Sequence, residues 1–330
     1  MSKAIERFSK ALNLERSAME FYEIFSFVGI LRESIKLLPK NGKLMVFITT
    51  LALLLYTLFF FLNISSIKPL IFDLVEITTR GGGANPVTMM AHIKEDLGIL
   101  LVVESIFLFA SLVLSLFATT AVIFISALSY CNKTLSIKDL VLKVSKSWTR
   151  PFITGLYTIL LGMGYLSVLM CTMFMISMFS NNPIASKAIV IVFGILGSIL
   201  SLPLTTIIIL ALVISVIEEN CYGIEALGKA GKLVNGQRVQ CFILNFLFLA
   251  FSWILYLCLS MGENEQLLST QMILVGLFRM HSLHLVYMLE FIAFTVLYFH
   301  CKKSHGEEIE MQWCTEYSKI SAVPLDNDTP

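Results

Sequence analysis

Charged residues are scarce in this chain. Asp, Glu, Lys and Arg make up 14% of its 330 residues and hydrophobic residues 57%, whereas a typical soluble domain has about 25% charged residues. The short alternating segments of an outer-membrane barrel are also absent. Because lipid leaves backbone polar groups no partners but each other, the long apolar runs are expected to be helical.

Several functional motifs are missing as well. Gly81-Gly82-Gly83 lacks the Gly-Lys-Ser/Thr ending of a phosphate loop, and no nucleophile–base pair stands at a recognisable spacing. We therefore expect no enzyme, no cofactor and no nucleic-acid partner. A cleavable signal peptide is not expected either, because the first apolar run begins only at Leu44.

Six apolar runs are of the length that crosses a bilayer as a helix, roughly 20 residues. The predicted spans are 44–62, 97–128, 152–179, 188–217, 242–261 and 284–300, with loops over 63–96 and 262–282. The sequence thus predicts an all-α, polytopic membrane domain over residues 44–300. Residues 1–43, which include an amphipathic helix, precede it, and a polar tail over 301–330 follows.

An internal repeat precedes the odd-numbered spans. Segment 34–38 (SIKLL) is similar to segment 230–234 (AGKLV); both are followed by Asn-Gly, with two extra residues in the first copy. A Phe-Ile pair then opens each span, at 47–48, 152–153 and 242–243, and the middle copy is looser. We interpret these features as three units, each an interfacial amphipathic helix followed by a transmembrane hairpin.

The repeated helices carry lysines opposite their apolar faces, which is typical of helices that lie in the headgroup layer and contact anionic lipid. The candidate headgroup contacts are Lys36, Lys146, Lys229 and Lys232. The alternative is that these segments are ordinary helical loops in the cytosol. The expected partners are the lipid bilayer itself and either anionic lipids or other membrane proteins.

The distribution of basic residues predicts the orientation. With six spans, the two termini and the interludes 129–151 and 218–241 lie on one side, and that side has 19 of the 24 Lys and Arg residues. Basic residues accumulate in the cytosol, so both termini are predicted to be cytosolic, in the plasma membrane or an endomembrane. The cysteines avoid the opposite loops, so no disulfide is expected.

Three stretches resemble a family of plant multi-pass membrane proteins without established activity: 219–227 (ENCYGIEAL), 33–41 (ESIKLLPKN) and 301–308 (CKKSHGEE). This resemblance covers nearly the whole chain. The pattern before the spans is more distantly similar to the membrane domain attached to some bacterial glycerophosphodiester phosphodiesterases. Since the chain has no room for the phosphodiesterase barrel, the resemblance implies a membrane platform and not that chemistry.

Glu290 is the sharpest candidate for a functional residue, because it interrupts the sixth span. Ionisable residues within spans mark transport paths and proton relays; the alternative is a neutral carboxyl group that is hydrogen-bonded between helices. Pro203, Thr205 and Thr206 are expected to line any cavity that reaches Glu290. Cys301, beside two lysines, is a candidate for reversible acylation.

A metal site is only weakly indicated, by His281 and His284. The sequence favours a membrane platform or organiser. The competing hypothesis is a carrier or channel for a lipid or small solute that uses Glu290. A polar cavity at Glu290 would favour the carrier, and a dry core of small residues would favour the platform.

Overall fold

The computed structural model describes residues 27–80, 86–133, 135–179, 183–260 and 270–304. Within these ranges the regular structure is entirely helical, with no strand. The helices are α1 (27–40), α2 (Gly42–Arg80), α3 (Pro86–Tyr130), α4 (Ile137–Ser147), α5 (Thr149–Phe179), α6 (Pro183–Ile217), α7 (Ile224–Gly236), α8 (Arg238–Ser260) and α9 (Thr270–Ser304). The predicted all-α class is confirmed. Much of the predicted N-terminal helix and polar tail lies outside the described residues.

Among the described helices, α2, α3, α5, α6, α8 and α9 are long and apolar enough to cross a membrane. Large apolar side chains such as Leu108, Val168 and Met178 point outward from them and are largely exposed. Soluble proteins rarely expose apolar surface on this scale, whereas lipid solvates it without cost. The predicted number of six membrane helices is confirmed.

The predicted lengths of two loops are wrong. Residues 63–80 continue α2, residues 86–96 begin α3, and residues 270–282 begin α9. The polar residues in these stretches suggested loops, but a helix that continues beyond the bilayer satisfies its own backbone hydrogen bonds and needs no apolar sequence there. Hence these helices project past the apolar runs that identified them.

The helices form three successive units, each a first helix followed by a hairpin of two long helices. The hairpins are α2 with α3, α5 with α6, and α8 with α9, and the two helices of each hairpin pack against each other. The first helices, α1, α4 and α7, each bury three residues, and in all three helices the second buried residue follows the first by four positions and the third follows the second by three. These sets are Ile30, Ser34 and Leu37; Leu140, Val144 and Ser147; and Ala226, Ala230 and Leu233.

The repeat continues into the first helix of each hairpin, where each unit buries three residues in the same pattern. They are Leu44, Met45 and Ile48; Thr154, Gly155 and Thr158; and Leu244, Asn245 and Phe248. From Ile30 to Ile48, every buried position of unit one recurs 110 residues later in unit two. Between the buried set of its first helix and that of its hairpin, unit three has four more residues than the other units.

This burial register corrects part of the sequence alignment. Phe152-Ile153 and Phe242-Ile243 occupy equivalent positions, but the register places Gly42-Lys43 there in unit one and not Phe47-Ile48. The prediction that all three Phe-Ile pairs correspond is therefore wrong for unit one. Burial identifies equivalent positions more directly, because a lipid-facing residue is under no packing constraint.

The second helices of the hairpins, α3, α6 and α9, pack on one another at the centre. Their C-terminal parts are buried on every side over residues 118–129, 209–217 and 291–299. A helix that is apolar around its whole circumference fits such a central position. The dense core therefore lies at the end of the bundle where these three helices terminate, while the opposite end is more open.

Small residues allow close packing within the second hairpin, as predicted. A Cβ on Gly197 would lie 2.6 Å from Leu169 Cδ1, and one on Gly194 would lie 3.2 Å from Met173 Cε. The Tyr165 hydroxyl also donates a hydrogen bond to the Gly197 carbonyl. These contacts hold α5 against α6 with little intervening side-chain volume.

The segments predicted to share one side of the membrane meet at one end of the bundle. Lys40 Nζ donates to Asn132 Oδ1 at 2.7 Å, and His300 Nε2 lies 2.7 Å from Glu33 Oε2. We call this the basic end, because α1, α4, α7 and the last turn of α9 bring their lysines there. The grouping agrees with the sequence-based topology; which side of the membrane it faces stays a prediction.

Candidate functional site

Polar side chains from three helices line a cavity of about 370 Å³, which we call the Glu290 cavity. One face of α9 forms most of its wall, and single residues of α2 and α8 complete it. The lining residues are Tyr56, Ser252, Met280, Leu283, His284, Tyr287 and Glu290. The residues from α9 recur three or four positions apart, the spacing that places side chains on one side of a helix. All of them lie in candidate membrane spans.

Glu290 presents its carboxyl group to this cavity without a protein partner. No described side chain forms a hydrogen bond or ion pair with it. The alternative prediction, a carboxyl group that is hydrogen-bonded between helices, therefore has no support among the residues that the structure describes. An ionisable residue at membrane depth costs about 2.5–3.5 kcal/mol on insertion scales, so the group has a strong tendency to bind a proton or a polar ligand.

Two histidines beside the cavity also have unused polar atoms. The Thr57 hydroxyl donates to the Leu53 carbonyl at 2.8 Å and lies 2.9 Å from His281 Nε2. Since a hydroxyl has one proton, His281 Nε2 must be the donor to Thr57, which leaves Nδ1 as an acceptor. His281 Nδ1 and His284 Nε2 are buried without a hydrogen-bond partner among the described residues.

An unpaired buried polar atom costs about 1–3 kcal/mol, so two of them near one cavity indicate a site that a ligand or water completes. The ring of His284 packs on Tyr56, with centroids 4.5 Å apart. As for a metal, no three His, Cys, Asp or Glu side chains come together among the residues that the structure describes. The predicted pair His281 and His284 therefore lacks a third ligand there.

The Glu290 cavity ends against the dense core. Tyr287 packs edge-on against Phe291, with ring centroids 4.7 Å apart, and Phe291 and Phe294 are fully buried. None of the residues lining the cavity lies beyond Glu290 in α9. In this conformation, the cavity is thus closed toward the basic end by the packed ends of the central helices.

Pro203, Thr205 and Thr206 do not line this cavity, contrary to the prediction. Instead, Asn245 Nδ2 on α8 lies 2.6 Å from Thr205 Oγ1 and 2.9 Å from Thr206 Oγ1. It also donates to the Leu202 carbonyl at 2.9 Å, one residue before the proline. These groups join α6 to α8 as a packed polar contact. Sequence reasoning missed Asn245, although an amide within an apolar run could have indicated it.

At the basic end, Glu218 holds three segments together in what we call the Glu218 cluster. The Tyr298 hydroxyl donates to Glu218 Oε1 at 2.6 Å, Lys229 Nζ donates to Oε2 at 2.9 Å, and Lys302 Nζ lies 3.7 Å from Oε1. Burial by itself would raise the pKa of Glu218. The bonds from Tyr298 and Lys229 and the charges of Lys229 and Lys302 outweigh burial and hold the pKa below its ordinary value.

Gly223 attaches the start of α7 to α5. Its N–H donates to Thr154 Oγ1 at 2.8 Å, and its φ of 63° suits glycine. A Cβ at this position would approach the Tyr157 ring to 3.3 Å. The segment 218–228 therefore reaches both α5 and α9, which explains why this charged stretch between two spans has a defined structure.

The candidate headgroup lysines divide into two groups. Lys36, Lys146 and Lys232 are exposed and occupy equivalent positions in the three units. Lys229 does not fit the prediction, because its ammonium group is bonded to Glu218 inside the protein. The sequence pattern could not distinguish the two groups, since the partner carboxylate lies before the start of the helix.

Cys301 is also not the acylation site that the sequence predicted. Its side chain has no exposed surface, and its Sγ lies 3.5 Å from Gln237 Oε1. A thiol enclosed between α8 and α9 is out of reach of a transferase and a lipid chain. The neighbouring lysines suggested an interfacial position, but only the packing of α9 decides which way the thiol points.

These features define a multi-pass α-helical membrane protein with a polar cavity within its spans. Residues 13–320 match the family model described as "Domain of unknown function (DUF8558)", and the chain belongs to that family. No curated protein and no solved structure matches the chain.

Proposed function

We propose that the protein is a carrier-type membrane protein that binds a small solute in the Glu290 cavity. The observation that supports this is that two polar groups of α9 without a partner among the described residues, the Glu290 carboxyl group and His284 Nε2, line one intramembrane cavity, with the similarly unpaired Nδ1 of His281 one helical turn away. Polar residues in membrane helices are costly and commonly mark substrate or ion pathways. The cavity volume of about 370 Å³ also lies within the ordinary range for small-ligand pockets.

The chemistry of the wall favours a small organic cation. In its ionised form Glu290 supplies a negative charge to the cavity, and the aromatic rings of Tyr56 and Tyr287, a residue type whose faces attract cations, line the same space. A cation with an N–H group can in addition donate a hydrogen bond to His284 Nε2 when the other ring nitrogen has the proton. A neutral apolar solute would leave all these groups unpaired.

The matching experiment measures uptake of labelled tetramethylammonium into liposomes that contain the purified protein. Wild-type protein is expected to take up the cation, and Glu290→Gln is expected to reduce uptake to the level of empty liposomes. Glu104→Gln is the matched control, because Glu104 is the other acidic residue within the predicted spans but lies near the outer end of its span, is exposed and is 3.4 Å from Asn63. It should leave uptake unchanged. Equal uptake by wild type and Glu290→Gln would refute the role of Glu290.

The platform remains a second candidate, supported by the closed core at the basic end. Three equivalent helices there present exposed lysines, one each at Lys36, Lys146 and Lys232. In this proposal they are amphipathic helices that rest on anionic headgroups, and the rigid core positions them. Replacing the three lysines with glutamine should weaken protection of α1, α4 and α7 from a water-soluble label in anionic liposomes. Unchanged protection would count against it.

Both proposals place the basic end on the cytosolic side of either the plasma membrane or an endomembrane. The asymmetry of Lys and Arg, 19 of 24 in the segments assigned to that side, supports this orientation. An epitope tag after Pro330 should be hidden from antibody on intact cells and become accessible once digitonin permeabilises the plasma membrane alone, which leaves organelle lumens closed. Detection on intact cells would reverse the orientation.

A further inference from the structure

A second cavity, of about 310 Å³, lies between α2, α3 and α4. Eleven of its twelve lining residues are apolar; Ser145 at the rim is the exception. Ala52, Ala118 and Ala121 form one wall, and Leu140 and Val144 of α4 form the other. We call this the α4 groove.

The groove exists because the contact of α4 with α3, which joins unit two to unit one, differs from the contact of α7 with α6, which joins unit three to unit two. The buried positions of α4 are Leu140 and Val144, where α7 has Ala226 and Ala230. Alanines let α7 lie close along α6, and the contact between them is more extensive than that between α4 and α3. The bulkier side chains of α4 hold it away from α3, and small residues on α2 and α3 leave the space between them open.

Aromatic packing borders the same groove. Phe117, which lines it, stacks on Trp148 at the end of α4 with ring centroids 5.8 Å apart and planes 16° apart. Trp148 in turn contacts Phe152, with centroids 5.4 Å apart. Aromatic contacts at its C-terminal end therefore hold α4 in place, and the groove does not depend on α4 being loosely attached.

The occupant is indicated by depth and charge. The walls from α2 and α3 belong to candidate membrane spans, where the surrounding solvent is lipid. Water would find almost no polar partners in this apolar space, whereas the lipid chains beside the spans can fill it. Lys138 does not itself line the groove but lies three positions before Val141 and seven before Ser145, which do, so these residues share one face of α4. Lys138 is exposed, as is the single acid of that helix, Asp139.

We propose that the α4 groove binds one acyl chain of an anionic phospholipid whose phosphate is held by Lys138 and Ser145. The chain fills the apolar groove, and the negative headgroup lies at the level of α4. The excess of lysines on α4 favours an anionic headgroup over a zwitterionic one. The two parts of the site recognise different parts of the lipid: the groove binds the acyl chain, and the rim binds the negatively charged headgroup.

The test uses phosphatidylserine with a photoreactive group on one acyl chain and the matching phosphatidylcholine, each in liposomes that contain the full chain. Crosslinks to peptides from α2, α3 and α4 are measured relative to those on the lipid-exposed face of α5. Phosphatidylserine is expected to give the stronger signal. Lys138→Gln should lower it about fivefold, since one lysine near a membrane surface contributes about 1 kcal/mol, whereas Lys232→Gln on α7 should not.

Ala118→Leu should fill the groove and abolish the signal for both lipids. Ser145→Leu at the exposed rim serves as a second variant if Ala118→Leu fails to fold, and it should lower the phosphatidylserine signal alone. Equal labelling by the two lipids, unaffected by Lys138→Gln, would overturn the headgroup assignment. Labelling of α2, α3 and α4 no stronger than that of the lipid-exposed face of α5, with both lipids, would overturn the site itself.

Discussion

Glu218 provides the sharpest test of how the basic end is held together. Its side chain is only 18% exposed and receives two short hydrogen bonds, from Lys229 and from Tyr298. Glu218→Gln removes the charge and leaves one acceptor oxygen, so the amide oxygen can accept from Lys229 while the amide NH2 group donates to the Tyr298 oxygen. A hydrogen bond to an ionised group is roughly twice as strong as a neutral one, which is worth about 1 kcal/mol. Two such bonds should therefore lose roughly 2 kcal/mol together.

The loss should appear as faster labelling of the buried thiol of Cys301, which is adjacent to Lys302 in the last turn of α9. Native-state labelling requires local opening, and its rate follows the opening equilibrium when opening is fast. A change of 2 kcal/mol corresponds to roughly 30-fold in that equilibrium. N-ethylmaleimide modification, followed at peptide level by mass spectrometry, gives the rate, and the partly exposed Cys131 serves as the reagent control.

Glu219→Gln is the matched control, one residue away. Glu219 is 43% exposed and lies 3.9 Å from Arg150, a distance and exposure at which an ion pair contributes less than about 1 kcal/mol. It should change the labelling rate by a few-fold at most. If the two variants accelerate labelling of Cys301 equally, or if neither does, the Glu218 cluster does not hold α9 to α7.

The pH dependence follows from the direction of the pKa shift. The folded protein holds the pKa of Glu218 below its ordinary value of 4.5, so the unfolded state binds the proton more readily. The resulting stability is fully present above pH 4.5 and is lost as the pH falls through the lower, folded-state pKa. Measured relative to the rate for Cys131, which corrects for the loss of reactive thiolate in acid, labelling of Cys301 in the wild-type protein should become faster across that acid window. The relative rate for Glu218→Gln should change less there.

Three further predictions concern packing, and each is measured as the midpoint of thermal unfolding in detergent. Gly223→Ala should destabilise the protein by about 1–3 kcal/mol because Gly223 has a positive φ. Gly228→Ala in the same segment, where a Cβ would meet open space, should stabilise the protein by up to about 1 kcal/mol. Equal shifts of the two midpoints would contradict this. Asn245→Leu should cost roughly 1–2 kcal/mol, since interhelical hydrogen bonds in membranes average about 0.6 kcal/mol, and no loss would show that the α6–α8 bonds are dispensable. Gly197→Ile should cost about 1–3 kcal/mol by overpacking against Leu169, and an unchanged midpoint would mean that the hairpin can separate freely.

The sequence predicted the helical class and the number of membrane helices because both depend on one-dimensional properties. A run of apolar residues has no alternative to a helix in lipid. The grouping of the basic segments at one end follows from counting spans. The helix ends were predicted less well, as in the loop expected over 63–96, because polar residues can continue a helix beyond the bilayer.

The site was predicted only in part. Glu290 stands out in the sequence because a carboxyl group within a span is rare and costly. Tyr56 and Ser252 do not stand out, since tyrosine and serine are common in membrane helices. These two residues also lie on helices other than α9, so only the fold brings them to Glu290. The predictions for Lys229 and Cys301 failed for the same reason. Their partners, Glu218 and Gln237, lie outside the local helical pattern, and only packing brings each pair together.

The amino-acid order by itself determined that lipid is the solvent, that six helices cross it, and that three similar units follow one another. Each of these follows from local hydrophobicity and spacing, which do not depend on contacts between distant residues. Only the tertiary structure decided which polar groups face a cavity, which lysines remain exposed and which unit leaves a groove beside α4. Those outcomes depend on side-chain volumes and partners across helices, and burial in a packed core is a property of the whole arrangement.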